Sequence, residues 1–167
     1  MHKFMLTGTF DPITIGHLDL IKRSLQMADQ VIVAILNNAN KRTEFSSLER
    51  EQMVKSACES SFSDEVNAGR LIVLSWQGLT VDLVKREQVT ALVRGIRNVM
   101  DLCYEQTMAS ANQHLLPEVE TVFLLSKPEH QFISSSLVKE LASVNADYSA
   151  LVPQSQLELV KQHFERR

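Results

Sequence analysis

Short apolar runs rich in β-branched residues recur along this chain, with segments of helical periodicity between them. Because buried parallel strands form continuous apolar stretches joined by helical crossovers, this alternation predicts a parallel α/β sheet. No Gly/Ser-rich linker, internal repeat or low-complexity tract interrupts the sequence, so we expect one doubly wound α/β domain over residues 1–167, with a five-stranded parallel sheet flanked by helices. The predicted strands cover residues 4–6, 31–36, 71–74, 91–93 and 119–125.

Helical spacing or a capping signal marks the segments between and after these strands. Serines at the start of residues 47–60 and 134–142 are typical of helix N-caps. The predicted helices begin near His17 and extend over residues 47–60, 79–86, 98–114, 134–142 and 154–164. In a doubly wound sheet, ligands bind in the crevice at the carboxyl ends of the strands. Polar residues that directly follow a strand are therefore candidates for a functional site.

The first strand is followed by a tight corner that leads into a helix. The chain breaks at Gly8, turns at Asp11-Pro12 and enters the helix at Gly16-His17. Unpaired backbone N–H groups and the positive end of the helix dipole attract anions at such a position, phosphate above all. The His17 side chain adds a donor, so the corner predicts a phosphate-binding site; in the alternative, His17 is only a cap or a surface residue. We expect Asp11 to form an Asx-type turn rather than to bind a metal ion.

Three further predicted loops carry groups that bind phosphate. After strand two, Lys41 offers a point charge on a flexible stem. After strand four, Arg94 and Arg97 offer guanidinium groups that bond phosphate bidentately, and Gly95 between them allows close approach of the backbone. After strand five, Ser134–Ser136 offer hydroxyl and amide groups at a helix start. Each has a plainer alternative, namely a solvated lysine, structural salt bridges and an ordinary N-cap, but four such loops at one sheet edge favour a phosphate site.

Composition and charge narrow the expected partners and location. The formal net charge is −3 and the pI is near 5.9, so we expect neither nucleic acid nor an anionic membrane surface as a partner. The first residues lack the pattern of a signal peptide, and no apolar run approaches the length of a membrane span, which predicts a cytoplasmic protein. Cys58 and Cys103 have no metal-ligand or redox spacing, and we expect both to be buried free thiols.

Motifs in these loops resemble those of a known enzyme family. Thr9-Phe10-Asp11-Pro12 followed by Gly16-His17 looks like the T/HxGH motif of the nucleotidyltransferase superfamily, and the chain as a whole is similar to the bacterial phosphopantetheine adenylyltransferases. The likeness continues at residues 78–82, 94–105 and 132–140. It covers the chain nearly from end to end.

The resemblance implies a single Rossmann-like nucleotidyltransferase domain and an enzyme that transfers AMP from ATP to 4′-phosphopantetheine. The products are dephospho-coenzyme A and pyrophosphate, in the penultimate step of coenzyme A synthesis. The resemblance also implies Mg²⁺ bound mainly through the ATP phosphates with no protein metal ligand, feedback inhibition by coenzyme A, and a homohexamer. The alternative is another nucleotidyltransferase of the same superfamily with a different phosphorylated acceptor. A non-catalytic nucleotide sensor is disfavoured because His17, Lys41 and Arg94 are all present.

Roles for individual residues follow from the same resemblance. It implies the catalytic residues His17, Lys41 and Thr9. It implies the ATP-binding residues Thr9, Phe10, His17, Gly95, Ile96, Arg97, Glu105, His130, Gln131, Phe132, Ile133, Ser134, Ser135 and Ser136. It implies the acceptor-binding residues Thr9, Lys41, Thr80, Arg94 and Asn112. The chain departs from the family pattern at Leu6-Thr7, where Tyr-Pro is common, and after Glu140, where the usual cation is missing.

Overall fold

A computed structural model of the chain describes residues 1–37 and 42–165. The strands are β1 (Lys3–Gly8), β2 (Gln30–Leu36), β3 (Leu71–Trp76), β4 (Ala91–Ile96) and β5 (Glu120–Leu125). The helices are α1 (Ile15–Met27), α2 (Ser47–Ser61), α3 (Ser63–Asn67), α4 (Thr80–Glu87), α5 (Val99–Leu115), α6 (Ser135–Ser143) and α7 (Leu157–Glu165). Two 3₁₀ turns cover Pro128–His130 and Gln154–Gln156.

The five strands form one parallel sheet in the order β3-β2-β1-β4-β5. The chain builds outward from β1 through β2 to β3, and then returns to place β4 on the other side of β1. The strand order therefore reverses between β1 and β4, which is where doubly wound sheets open a crevice for ligands. The prediction of a five-stranded, doubly wound parallel sheet is confirmed.

Both faces of the sheet are covered, and alternate residues of each central strand point to opposite sides. Along β2, Val31, Val33 and Ile35 belong to a core with α1, α2, α6 and α7. Ile32 and Ala34, between them, belong to a second core with α4 and the segment that follows α5. A strand that is buried on both faces has no polar side, and this explains the unbroken apolar runs in the sequence.

Two differences from the predicted boundaries have clear physical reasons. Residues 94–96 were expected after strand four, but this is wrong because they continue β4: Arg94, Gly95 and Ile96 pair with β5 at Phe123, Leu124 and Leu125. Helix α3 was not predicted, because its five residues bury no side chain and so carry no apolar periodicity.

The two cysteines differ in environment. Cys58 is fully buried on α2, as predicted, and burial raises the pKa of its thiol to about 12. The prediction for Cys103 is wrong, since it is exposed on α5. Of the residues of α5, all of which lie in the described ranges, Glu105 alone is buried. Over residues 1–37 and 42–165, no helix is long and apolar enough to cross a membrane.

Candidate active site

A cavity of about 370 Å³ opens at the carboxyl ends of β1 and β4, where the strand order reverses. Its floor is formed by the last residues of both strands. The start of α1 closes one side of the cavity, and the start of α6 closes another. Both helices thus present their N-terminal ends to the same space, which favours an anionic ligand.

Most of the predicted site residues line this cavity. Those present in the lining are Thr9, Phe10, His17, Arg94, Gly95, Arg97, Glu105, His130, Ile133, Ser134, Ser135 and Ser136. Ile96 is buried beside it, whereas Gln131 and Phe132 are exposed next to the 3₁₀ turn. Thr80 begins α4 and Asn112 lies near the end of α5, outside the lining. Lys41 lies outside the described residues.

The imidazole of His17 is oriented by the start of its own helix. Thr14 is the N-cap of α1, and its hydroxyl accepts the backbone N–H of His17 at 3.4 Å. In return, the backbone N–H of Thr14 donates to His17 Nδ1 at 3.0 Å, which completes a capping box. Because Nδ1 accepts this bond, the proton of the neutral ring sits on Nε2.

The environment of His17 keeps the ring neutral. Burial, followed by the charges of Arg97 and Arg94, lowers its pKa to about 4. At neutral pH the ring is therefore an uncharged donor through Nε2–H, fixed at a helix start that favours anions.

Arg94 is held in a rigid fork at the end of β4. Its Nε and Nη2 donate to the two carboxylate oxygens of Glu105 at 2.7 and 2.6 Å, in a bidentate pair. Its Nη1 donates to the carbonyl oxygen of Thr7, and also to Thr7 Oγ1 at 2.8 Å. These bonds cross from β4 to α5 and back to β1, so the guanidinium has a fixed place in the crevice.

Arg97 is tied to the start of α5. Its Nε and Nη2 donate to Asp101 at 2.8 and 3.1 Å, and its Nη1 donates to the carbonyl oxygen of Ile133 at 3.4 Å. Burial raises the pKa of Asp101, but the hydrogen bonds from Arg97 outweigh this and hold it below its ordinary value. Arg97 thus connects α5 to the segment that precedes α6.

Asp11 does not form an Asx turn, and that prediction is wrong. Its carboxylate is buried and accepts the backbone N–H groups of Glu44 and Phe45, at 3.0 and 2.9 Å. It also accepts Lys139 Nζ at 2.9 Å. Burial raises the pKa of Asp11, but the hydrogen bonds from Glu44, Lys139 and Phe45 outweigh this and hold it below its ordinary value. Asp11 is thus a long-range tie between the first loop, the chain before α2, and α6.

The chain matches the cytidylyltransferase-like family over residues 5–141. It is 38% identical over 166 residues to the phosphopantetheine adenylyltransferase of Shouchella clausii, covering 99% of this chain and 100% of that one. It is 44% identical over 146 residues to the phosphopantetheine adenylyltransferase of Levilactobacillus brevis, which covers 87% of this chain and 86% of that one. The chain belongs to the phosphopantetheine adenylyltransferase family.

Solved structures of more distant relatives share the fold of this family member. A putative nicotinate-nucleotide adenylyltransferase from Vibrio parahaemolyticus superposes with a TM-score of 0.68 at 15% identity, over 100% of this chain and 97% of that one. A nicotinic acid mononucleotide adenylyltransferase from Plasmodium falciparum, in complex with NaAD, superposes with a TM-score of 0.66 at 16% identity, over 99% of this chain and 95% of that one. At such identities the likeness concerns the fold alone.

Gly95, in the middle of the family's arginine motif, lies close to Leu20 of α1. A side chain at this position would collide with a terminal methyl group of Leu20, and that side chain would have to shift. The glycine therefore leaves room for Leu20 where α1 packs against β4.

Sequence reasoning missed Lys139, which lines the cavity and pairs with Asp11. Ser135 was predicted as a site residue, but its contact with the first loop was not. Ser135 Oγ donates to the carbonyl oxygen of Pro12 at 2.7 Å, which fastens α6 to the first loop. The spacing of four residues between Ser135 and Lys139 places both on one face of α6, and this periodicity was the available signal. The charge pairing of Asp11 with Lys139 had no sequence signal, because 128 positions separate them.

We expect His17→Asn to weaken the pH dependence of stability. The pKa of His17 is about 4 in the folded chain, against 6.5 ordinarily. Between these values the unfolded chain binds a proton that the folded chain does not, so the free energy of unfolding falls as the pH drops through this window. Asn does not titrate, yet its Oδ1 replaces Nδ1 as the acceptor for the Thr14 N–H. Urea unfolding of wild type and His17→Asn at about pH 7 and about pH 5 measures how far the free energy of unfolding falls in each protein. An equal fall in wild type and in His17→Asn would contradict the lowered pKa.

Thr7→Val removes one hydrogen bond that holds Arg94, the residue that the family resemblance predicts to bind the acceptor. We expect this change to raise the KM for the acceptor by about three- to ten-fold. Thr7 is a departure from the family pattern, and its hydroxyl accepts from Arg94 at 2.8 Å. Val keeps the shape and branching of the strand residue, and Thr7→Ser keeps the hydroxyl as the matched control. Steady-state kinetics at varied acceptor concentration measure this KM in wild type and in both variants. An unchanged KM in Thr7→Val would show that Glu105 suffices to hold Arg94.

Proposed function

We infer that this chain catalyses the transfer of AMP from ATP to 4′-phosphopantetheine, giving dephospho-coenzyme A and pyrophosphate. The observation that carries this function is the cavity at the switch point of the sheet, where a neutral His17 donor meets two arginines and a serine-rich helix start. Such a set of donors suits a reaction in which only phosphate groups react. The identity of the acceptor comes from the relatives, which are named phosphopantetheine adenylyltransferases.

The reaction needs positioning and charge stabilisation more than acid–base chemistry. An oxygen of the acceptor phosphate attacks the α-phosphorus of ATP, forming a new P–O bond. The bond between the α-phosphorus and the oxygen that bridges to the β-phosphate breaks, and its electron pair leaves with pyrophosphate. Since the nucleophile is already an anion, no base is required to activate it.

In this proposal, His17 Nε2–H donates to an oxygen of the α-phosphate, where negative charge grows in the transition state. The neutral ring of His17 can serve as this donor because Nε2 already carries the hydrogen that it donates. The contact of Nδ1 with Thr14 already fixes the orientation of the ring. Thr9 orients the incoming phosphate, and Lys41 follows the charge between the two reacting groups. These two roles rest on the family resemblance.

The remaining contacts divide between the two substrates. Arg97 and the helix start at Ser134–Ser136 hold the β- and γ-phosphates, supported by their common position in the cavity lining. The other ATP contacts proposed are Phe10, Gly95, Ile96, Glu105, His130, Gln131, Phe132 and Ile133. Arg94, with Thr80 and Asn112, binds phosphopantetheine. Glu105 grips Arg94 through both carboxylate oxygens, so it also positions the acceptor contact.

We also propose Mg²⁺, held by ATP phosphate oxygens and water. The donors available fit this arrangement, because each carboxylate in the described lining pairs with a cation: Asp11 with Lys139, Asp101 with Arg97, and Glu105 with Arg94. When bound, the ion neutralises part of the phosphate charge. The side chains of the cavity lining would orient the same phosphates.

Pyrophosphate release from purified protein with ATP and magnesium tests the activity, measured with and without 4′-phosphopantetheine. We expect release that depends on phosphopantetheine, with dephospho-coenzyme A identified by mass. ATP binding without pyrophosphate release would support the nucleotide site but not this acceptor. The alternative function, with another phosphorylated acceptor, would then apply. A panel of phosphorylated acceptors would then identify it.

We further propose a cytoplasmic homohexamer that coenzyme A inhibits by competing for the same cavity, with no nucleic acid or membrane partner. Self-association is supported by the outer face of α5, where Val99, Met100 and Tyr104 are 74%, 77% and 63% exposed. This helix lies beside β5, the edge strand of the sheet. An apolar face of this kind commonly marks a protein interface.

Met100→Glu should therefore reduce the assembly to smaller species, because it places a charge in the apolar face of α5. Light scattering coupled to size exclusion measures the molar mass. Leu48→Glu is the matched control, since Leu48 is also exposed but lies on α2. An unchanged mass for Met100→Glu would assign the interface to another surface.

A further inference from the structure

Arg50 is a buried arginine that binds only neutral oxygens among its described hydrogen-bond partners. It lies in the first turns of α2, is 3% exposed, and donates to three backbone carbonyl oxygens and one side-chain amide oxygen. Burial lowers the pKa of its guanidinium, and the charge of nearby Asp11 offsets this in part. Burying a charged group is costly unless its hydrogen bonds are all made, so this position calls for a specific explanation.

The four oxygens belong to three separate segments at the carboxyl edge of the sheet. Nη1 donates to the carbonyl oxygens of Thr9 at 2.8 Å and Leu36 at 3.4 Å. Nη2 donates to Asn37 Oδ1 at 2.7 Å, and Nε donates to the carbonyl oxygen of Phe45 at 3.2 Å. One planar group thus joins the loop after β1, the end of β2, and the residue before the N-cap of α2.

Two of these contacts flank the segment that carries Lys41. Asn37 is the last described residue before Lys41, and Phe45 lies just after it on the N-terminal side of α2. Asp11 binds the same flank, through the N–H groups of Glu44 and Phe45. The backbone carbonyl and N–H groups of Phe45 are therefore fixed by two buried charged side chains, Arg50 and Asp11. Arg50 also binds the carbonyl oxygen of Thr9, which lines the cavity.

We propose that Arg50 is a positioning residue for adenylyl transfer, which fixes Thr9 and both flanks of the Lys41 segment relative to His17. This inference rests on the proposed function. Arg50 does not line the cavity, so it acts through the backbone it holds and touches no substrate. A lysine at this position keeps the charge but cannot reach three segments at once, because its donors radiate from a single nitrogen.

Arg70 provides a control of the same residue type at the opposite end of the sheet, where it is exposed. It precedes β3, and its Nε and Nη2 donate to the carbonyl oxygens of Asp29, Leu25 and Ala28 at 3.3, 2.8 and 3.4 Å. Arg70→Lys therefore breaks the same kind of fork far from the cavity. A fall in kcat confined to Arg50→Lys, at a temperature where that variant is fully folded, reports on catalysis.

The experiment compares kcat and KM for both substrates in wild type, Arg50→Lys and Arg70→Lys, well below the melting temperature of each. We expect kcat to fall by about 10- to 100-fold in Arg50→Lys with KM for ATP within about two-fold of wild type, because misplacement of catalytic groups affects the transition state. Arg70→Lys should keep kcat within about two-fold. Wild-type kcat in Arg50→Lys, with a lowered melting temperature, would overturn the inference and leave Arg50 a structural residue.

Asn37→Ala provides a second test that does not depend on the folding of Arg50→Lys. It removes the Oδ1 acceptor of Arg50 at the end of β2. We expect a few-fold fall in kcat in Asn37→Ala and no additional fall when it is combined with Arg50→Lys, since both act through one contact. Wild-type kcat in Asn37→Ala alone would overturn the inference, and so would fully additive losses in the double variant. An inactive wild-type protein is a separate outcome, because it rejects the proposed function itself.

Discussion

His17→Ala should lower kcat by about 100- to 1,000-fold and leave ATP affinity nearly unchanged, as expected when a donor to growing transition-state charge is removed. The reason lies in the ring's two nitrogens. Nδ1 is taken by the backbone N–H of Thr14, so Nε2–H is the donor available to the α-phosphate. Pyrophosphate release measures kcat, and calorimetry measures ATP binding.

Two further substitutions at His17 separate its catalytic part from its capping part. The Oδ1 of Asn occupies the place of Nδ1, so His17→Asn should keep the cap and lose activity. The Nε2 of Gln occupies the place of the imidazole Nε2, so His17→Gln should lose stability and keep more activity than Asn. Near-normal kcat in His17→Asn or His17→Ala would reject the assigned role.

Arg94→Met should raise the KM for phosphopantetheine by about 30- to 100-fold, the effect expected from losing a charge-assisted contact to phosphate. The same change leaves Glu105 without its bidentate partner. The side chains of the pair are only 26% and 11% exposed, so we expect the orphaned carboxylate to reduce the free energy of unfolding by about 2 kcal/mol.

Arg94→Met combined with Glu105→Gln distinguishes these two effects. Removing the orphaned charge should restore much of the lost stability, while the acceptor KM stays high. Steady-state kinetics and urea unfolding on the same preparations give both values. Recovery of the acceptor KM in the double variant would mean that the unpaired Glu105, rather than the loss of Arg94, had weakened binding.

The elements of this fold were predictable because its strands are buried on both faces. Their apolar runs stand out in the sequence, and the helices between them follow from periodicity and caps. The ends of the elements were less predictable. β4 continues through Arg94 to Ile96 because its backbone pairs with β5, and ladder bonds of this kind are not encoded in side-chain pattern.

The lining of the candidate site was largely predictable, since parallel strands bring their following loops to one edge. The partners of its charged groups were not. Arg97 and Asp101 are four positions apart, and their pairing could be read from spacing. Arg94 meets Glu105 only because β4 and α5 cross at the crevice, and Arg50 finds its oxygens only after β1, β2 and α2 have assembled. Such contacts depend on tertiary structure.

The paired charges of the cavity bear on how the enzyme meets other anions in the cell. Within the described lining, Arg94, Arg97 and Lys139 each stand beside a carboxylate, and His17 is neutral. Their long-range fields largely cancel, so these residues exert little attraction on a distant polyanion. Capture through these residues then depends on short-range contacts made inside the cavity, with the side chains and the two helix starts of its lining. The contribution of these residues to the rate of substrate capture should therefore change little with ionic strength.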